Sequence, residues 1–178
     1  MILLQDVSKF YPLRGRGKRW ILRDATAVIR PGDRVGILGR NGAGKSTLIR
    51  LLSGVEFPSS GRIERRMSVS WPMARRIGMH PQLSGADTAR FIARIYNRPI
   101  ERMIRAVDDF AELGPYMDMP ISSYSSGMSA RLQLGLSLAM DFDCYLMDES
   151  ASAGDHRFIE RARHALETKL RTRALVMV

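Results

Sequence analysis

Eight consecutive residues near the end of the first quarter of the chain have the types and spacing needed to bind phosphate. Residues 39–46 match the pattern G-x-x-x-x-G-K-S without a gap. Glycines let backbone N–H groups curl around phosphate oxygens, and a helix starting at Lys45 would point its positive end at them. Lys45 would contact the β- and γ-phosphates, and the Ser46 hydroxyl would bind Mg²⁺. The residues predicted to hold a nucleotide here are Gly39, Arg40, Asn41, Gly42, Ala43, Gly44, Lys45, Ser46 and Thr47.

Two acidic residues follow an apolar run much later in the chain. Asp148 and Glu149 come directly after Leu146-Met147. In phosphoryl-transfer sites an acid in this position holds Mg²⁺ and a neighbouring acid orients the attacking water. We therefore assign Asp148, with Ser46, to the metal, and Glu149, with Lys45, to catalysis. Two surface acids that happen to follow a strand are the alternative.

The patterns around these residues indicate the elements that would position them. Residues 1–30 alternate short apolar runs with a Gly/Arg loop at 13–19, which is typical of strands joined by turns. The apolar run 34–38 stops at a glycine, and a helical pattern follows at 45–52. The glycine loop would thus lie between a strand and a helix, the context that a phosphate site requires.

From Ala86 the hydrophobic period becomes helical. Three helices are predicted before Met140, separated by Pro99 and by Gly114-Pro115. A strand, an amphipathic helix and a second strand then complete the chain at 144–178. The predicted fold class is α/β, with a β-rich start, a P-loop core and an inserted helical block.

Composition limits the classes of function. Cys144 is the only cysteine, which excludes an intrachain disulfide. The amino terminus lacks a signal-peptide pattern, and no window approaches the roughly 18 apolar residues of a membrane span, so we expect a soluble or peripheral intracellular protein. The net charge of +10 is compatible with nucleic acid or an anionic surface as a partner, but also with a solvated basic surface.

A Ser/Gly turn distinguishes this chain from other P-loop proteins. It comprises Ser125, Ser126, Gly127 and Met128, and it precedes the acidic pair. On its own such a turn can be a simple helix N-cap. Here it resembles the signature segment of ATP-binding cassette (ABC) proteins, and the later Ser152-Ala153-Gly154-Asp155 resembles their D-loop.

The resemblance to ABC proteins implies further roles. It implies a RecA-like P-loop NTPase core with an N-terminal antiparallel β subdomain and an inserted α-helical subdomain. The single domain would cover 1–178, with the core and β subdomain at about 1–83 and 141–178 and the helical subdomain at about 84–140. Tyr11 lies where the family keeps the aromatic that stacks on adenine, and Trp20 is a weaker candidate. Asp155 would belong to the nucleotide-binding set.

More specific segments resemble the ATPase subunits of bacterial capsular polysaccharide exporters. They are Ser70-Trp71-Pro72, Tyr116-Met117-Asp118-Met119-Pro120 and Tyr124-Ser125-Ser126-Gly127-Met128, followed by Asp148-Glu149. Exporters of O-antigen and of teichoic acid are close alternatives.

Two positions depart from the family pattern. Either His80 or Gln82 occupies the position of the Q-loop glutamine; we favour His80, with a catalytic role, while a loop histidine without such a role is the alternative. The family also places a switch histidine just after the strand that here ends at Val178. The sequence therefore looks truncated at its C-terminus, and we expect ATP binding with doubtful hydrolysis.

The resemblance implies an ATPase that powers export of a surface polysaccharide. Two copies would form a homodimer that binds two ATP molecules with Mg²⁺ between them. The dimer would drive a polytopic membrane permease, which handles the polysaccharide. It would lie at the cytoplasmic face of the bacterial inner membrane as a peripheral subunit. A non-transport ABC ATPase acting on nucleic acid or ribosomes is the rival, although such factors usually carry two cassettes; we expect no nucleic acid partner. A P-loop kinase is a third alternative.

One helix of the inserted block is predicted to carry a basic stripe. Arg90, Arg94 and Arg98 follow one another at four-residue intervals. We expect this stripe to dock the membrane partner or the anionic inner leaflet. A solvated face is the alternative.

Overall fold

The computed structural model describes residues 1–15, 17–73, 79–147 and 156–178. These residues form two compact units. The first comprises the described residues of 1–72, 142–147 and 170–178, and the second comprises the remainder. The elements follow one another as β1 (Ile2–Pro12), β2 (Lys18–Ile29), β3 (Arg34–Gly36), α1 (Lys45–Ser53), β4 (Ser60–Arg65), β5 (Val69–Met73), α2 (Gly85–Ile95), α3 (Ile100–Ala111), α4 (Ser126–Ala139), β6 (Cys144–Met147), α5 (His156–Leu170) and β7 (Ala174–Met177).

The first unit begins with an antiparallel sheet of strand order β2-β1-β4. The sequence predicts separate short strands within residues 20–29, but β2 is continuous. The interruption in the apolar pattern is a bulge in the pairing with β1. At this bulge Asp24 adopts a positive φ of 43°, and its N–H donates a hydrogen bond to Ser8 Oγ at 2.8 Å. Side-chain bonding thus satisfies the backbone where the ladder is irregular.

A four-stranded sheet forms the core of the first unit, in the order β3-β7-β6-β5. Both β3 and β6 pair with β7 in parallel. Cys144, Tyr145 and Leu146 of β6 are all buried, and burial on both faces explains the continuous apolar run of this strand. Leu146 and Val176 pack with Ile49 of α1 and with Ile2 of β1 in one hydrophobic cluster.

The thiol of Cys144 lies within this cluster. Its side chain is fully buried, and burial raises the pKa of the thiol to about 12. The cysteine therefore packs in the core as a neutral, apolar side chain.

The second unit is helical. In α2 the Ser84 hydroxyl accepts a hydrogen bond from the N–H of Asp87 at 3.0 Å, which caps the helix. α3 and α4 approach closely at Gly135, where an added Cβ would lie 3.3 Å from the carbonyl oxygen of Val107. The guanidinium of Arg161 on α5 bonds the carbonyl oxygen of Asp109 at 3.0 Å.

The predicted basic stripe extends beyond its helix. α2 ends at Ile95, and Asn97 has a left-handed φ of 50°, so Arg98 is not on the helix. The prediction that Arg98 continues the helical stripe was wrong, because α2 ends at Ile95 and not at Pro99. Within the described ranges, all helices are too short or too polar to cross a bilayer.

Candidate functional site

The glycine-rich loop connects β3 to α1, as predicted. Gly42 and Gly44 have φ values of 80° and 101°, which a residue with a Cβ adopts only with strain. Gly44 is the N-cap of α1. The N–H groups of the first helical turn have no acceptor within the helix and carry its positive end, so they are available to an anion at the loop.

A strand of the antiparallel sheet presses against this loop. A Cβ on Gly44 would lie 2.2 Å from Ile21 Cγ2 of β2. Arg19, two residues earlier on β2, donates a hydrogen bond from Nη2 to the Gly42 carbonyl oxygen at 3.3 Å. The β1–β2 hairpin therefore braces the loop from one side.

The Lys45 ammonium is folded back over its own loop. Nζ lies 2.8 Å from the carbonyl oxygen of Gly39 and 3.5 Å from that of Arg40. The N–H of Ala43 donates to the Arg40 carbonyl oxygen at 3.1 Å, which closes the loop into a turn. An ammonium has three N–H donors, so a phosphate oxygen can be bound alongside a loop carbonyl.

A cavity of about 610 Å³ opens beside the loop. Its volume lies in the range of small-molecule sites. Asn41, Gly42, Gly44, Lys45, Ser46 and Thr47 line one side, and Tyr11, Leu13, Arg19 and Ile21 line the other.

Sequence reasoning missed three of these lining residues. Leu13, Arg19 and Ile21 belong to no motif. Strand alternation could have identified Arg19 and Ile21, because these two residues lie on the same face of β2. Tyr11 of β1 lies directly opposite Arg19 in the pairing of the two strands.

Tyr11 rather than Trp20 faces the cavity. Trp20 pairs with Phe10, their ring centroids 5.1 Å apart, on the opposite face of the hairpin. The cavity lining includes Tyr11 and omits Trp20. Of the two aromatic residues, it is therefore Tyr11 that lies beside the glycine-rich loop.

A glutamate outside every motif anchors the Tyr11 hydroxyl. Tyr11 Oη donates to Glu56 Oε1 at 2.6 Å and accepts from Arg50 Nη2 at 3.2 Å. Lys9 Nζ also lies 2.8 Å from Glu56 Oε1. Burial raises the pKa of Glu56, but the hydrogen bonds from Lys9, Tyr11 and Arg50 outweigh burial and lower the pKa to about 2. The carboxyl is therefore ionised at neutral pH.

The structure describes one of the two predicted metal ligands, Ser46, and neither of the predicted acids. Ser46 lines the cavity next to Lys45, and its hydroxyl is a hard oxygen donor of the kind Mg²⁺ accepts. Asp148, Glu149 and Asp155 lie outside the described residues. Within the described part of the chain, His, Cys, Asp and Glu side chains form no cluster of three that would hold a metal.

The Ser/Gly turn of the second unit opens α4. Ser125 is the N-cap, and its Oγ accepts a hydrogen bond from the N–H of Met128 at 3.2 Å. Ser126 and Gly127 are the first two residues of the helix. Ser125 and Ser126 are exposed, so this helix start faces solvent within its unit.

His80 and Gln82 share an exposed turn of the second unit. His80 Nδ1 accepts a hydrogen bond from the backbone N–H of Gln82 at 3.3 Å. Both side chains are exposed. The preference for His80 over Gln82 stays a prediction.

Comparison with known proteins gives one family over most of the chain. The family model for ABC transporters matches residues 22–152. The chain is 48% identical over 178 residues to the capsule polysaccharide export ATP-binding protein CtrD of Neisseria meningitidis serogroup B, which covers 100% of this chain and 82% of CtrD. It is 46% identical, with the same coverage, to the ATP-binding protein BexA of Haemophilus influenzae.

Other matches are more distant. Proteins named for teichoic acid export in Lactococcus lactis and for O-antigen export in Yersinia enterocolitica are 37% and 36% identical over 81% and 75% of this chain. A solved dimeric ATP-binding cassette, MJ0796, bound to ADP and Pi, superposes with a TM-score of 0.84, 19% identity and coverage of 100% of this chain and 87% of that one. This last likeness confirms the predicted α/β P-loop fold.

Proposed function

The chain belongs to the ABC transporter family, and on that basis we propose that it is the ATP-binding subunit of a bacterial capsular polysaccharide exporter. The main support for this proposal is the match to CtrD at 48% identity along the entire chain. The lower identity of the proteins named for teichoic acid and O-antigen export favours a capsular cargo over those two. Membership of the family also argues against the P-loop kinase alternative.

The loop and cavity fit ATP as the substrate. The phosphate loop, Lys45 and Tyr11 all line the same cavity. The α1 N-terminus and Lys45 would hold the phosphates, and the Tyr11 ring would stack on adenine. The residues assigned to the nucleotide at 39–47 all belong to this loop and the start of α1.

Hydrolysis depends on groups that stabilise charge and orient water. Ser46, with Asp148, is assigned to Mg²⁺, which when bound neutralises charge on the β- and γ-phosphate oxygens. Lys45 supplies fixed positive charge at the phosphates. Glu149 is assigned the orientation of the attacking water, and His80, or alternatively Gln82, contact with the reacting end of the nucleotide.

We further propose that the working unit is a homodimer with a membrane permease. The exposed start of α4, Ser125 to Met128, suits a role as an anion contact for a second copy's nucleotide, because its first-turn N–H groups carry the positive end of the helix. Asp155 would support the same contact. The polysaccharide would be handled by the permease, and this chain would act at the cytoplasmic face of the inner membrane.

Replacement of Lys45 tests the proposal. Lys45→Ala removes the charge over the loop and should weaken binding of labelled ATP by about 10- to 100-fold, because a charge-assisted hydrogen bond is lost. Placed on the chromosome, the same change should deplete capsule from the cell surface and leave polysaccharide inside the cell. Lys18→Ala removes an exposed lysine that lies over Phe10 and serves as the control.

Two outcomes would contradict the proposal. Unchanged ATP affinity in Lys45→Ala would overturn the nucleotide site. Lost ATP binding with a normal capsule would leave an ABC ATPase with another cargo, and the affected surface polymer would then identify it.

A further inference from the structure

Glu56 lies behind the cavity rather than in it. It follows the C-cap Gly54 of α1, whose φ of 82° turns the chain back toward β1. Its side chain is 20% exposed, and it lies outside the motifs identified in the sequence. The carboxylate nevertheless contacts a cavity residue directly, through the 2.6 Å hydrogen bond from Tyr11 Oη.

One carboxylate organises three donors at this point. Arg50 Nε donates to Glu56 Oε2 at 2.9 Å, while Tyr11 and Lys9 share Oε1. Lys9 Nζ also lies 5.2 Å from the centroid of the Tyr11 ring. Removing the carboxylate would leave two cations without their counter-charge and the tyrosine hydroxyl without its acceptor.

The same network reaches the phosphate side of the cavity. Arg50 Nη2 donates to Thr47 Oγ1 at 3.1 Å, and Thr47 is a buried residue of the cavity wall. Glu56 is thus connected to the wall at Tyr11 directly and at Thr47 through Arg50. These contacts join the strand that carries the aromatic ring to the helix that begins at the phosphate loop.

A tyrosine held at its hydroxyl cannot swing its ring freely. Ordering a side chain on binding costs about 0.5–1.5 kcal/mol. If the ring is already fixed before binding, this cost does not reduce the affinity for the base. The cost does not arise for a ligand that lacks a base, because such a ligand does not stack on the ring.

We propose that Glu56 is a positioning residue for the nucleobase, which holds the Tyr11 ring in its stacking orientation through the tyrosine hydroxyl. The inference rests on the proposed nucleotide site. Glu56 itself does not contact the nucleotide. It acts through Tyr11, so its loss should weaken the binding of a ligand that carries a base more than the binding of one that does not.

The experiment compares two probes, MgATP and magnesium inorganic triphosphate, by equilibrium titration. Glu56→Ala and Tyr11→Phe should each weaken MgATP binding by about 2- to 10-fold, the range that corresponds to ordering one side chain. Both should leave triphosphate binding within twofold of wild type. The double variant should be no weaker than either single variant, because both changes remove the same hydrogen bond.

The control is Glu64→Ala, which changes the net charge equally. Glu64 on β4 pairs with Arg66 away from the cavity, so MgATP affinity should not change. Tyr11→Phe keeps the ring and removes only the hydroxyl. This variant therefore tests the proposal even if Glu56→Ala fails to fold.

Each other result overturns the inference. Equal loss of MgATP and triphosphate binding with a lowered Tm would mean that Glu56 only supports the fold. Unchanged MgATP affinity in Tyr11→Phe would mean that the hydroxyl does not position the ring. A wild-type chain that binds neither probe would overturn the nucleotide site itself, and the inference with it.

Discussion

At the scale of single residues, two glycines of the phosphate loop serve different purposes. Both have positive φ, but a Cβ on Gly42 would meet nothing within 4 Å. A Cβ on Gly44 would overlap Ile21 Cγ2 at 2.2 Å. Gly42 is needed for backbone conformation alone, whereas Gly44 is needed for conformation and for the close approach of β2.

Alanine substitutions should separate these two requirements. Gly42→Ala should lower the free energy of unfolding by about 1–2 kcal/mol, the cost of a left-handed conformation. Gly44→Ala should lower it by more, because β2 must also shift. Urea denaturation of the two variants and wild type measures the difference. Equal losses would contradict the proposed contact between Ile21 and the loop.

The residues of the site differ in how far the sequence could predict them. Those of 39–47 were predictable because their geometry depends on closely spaced glycines and a following helix. Tyr11 was assigned by family resemblance. Glu56 was not predictable, because the register of β1 and the turn after α1 bring it 2.6 Å from a hydroxyl 45 positions away. Arg19 and Ile21 reach the loop only through the pairing of β1 and β2.

At the scale of elements, α2 presents a mixed surface. Arg90 is paired with Asp87, in the first turn of the same helix. Arg94 is exposed, and so are the apolar side chains of Phe91 (50%) and Ile95 (60%). Arg98 follows beyond the end of the helix and is exposed as well. The basic surface that we expect to meet a membrane partner therefore consists of Arg94 and Arg98.

Charge reversal tests this surface. Arg94→Glu combined with Arg98→Glu should weaken co-sedimentation with inner-membrane vesicles, since each basic residue near an anionic surface contributes about 1 kcal/mol. Arg30→Glu with Arg62→Glu is the matched control, because both arginines are exposed on the first unit. Equal sedimentation of the two double variants would favour a solvated face.

The elements themselves were predicted unevenly. The helix predicted at 45–52 and the strand predicted at 144–147 agree closely with α1 and β6. Their apolar patterns end at glycines or polar residues, so their bounds could be read from the sequence. The end of α2 was misjudged, because Arg98 keeps the four-residue spacing although Asn97 has turned left-handed. The division into subdomains at residues 84 and 140 stays a prediction.

At the scale of the whole molecule, the lifetime of the predicted ATP-loaded dimer should depend on Glu149, which lies outside the described residues. Glu149→Gln keeps the shape of the side chain and removes the charge that would orient water. Binding of ATP should persist while turnover falls, so the ATP-loaded dimer should accumulate. Size-exclusion chromatography with ATP and Mg²⁺ measures this, and Glu64→Gln is the control.

Two results would argue against Glu149 in this role. One is a variant that remains monomeric with ATP while it binds the nucleotide normally. The other is hydrolysis at the wild-type rate. Either would shift the search for the group that orients water to His80 and Gln82.

Because the single thiol of the chain is buried, the proposed dimer can be studied with a label at an introduced cysteine. Cys144 is fully buried, and with a pKa of about 12 almost none of it is thiolate at neutral pH. Maleimide dyes should therefore leave the native chain unmodified. A cysteine introduced at exposed Arg62, outside the residues assigned to the nucleotide and to the dimer contact, would then carry a fluorophore at one known position. Energy transfer between two labelled copies could then report their approach without first removing a native cysteine.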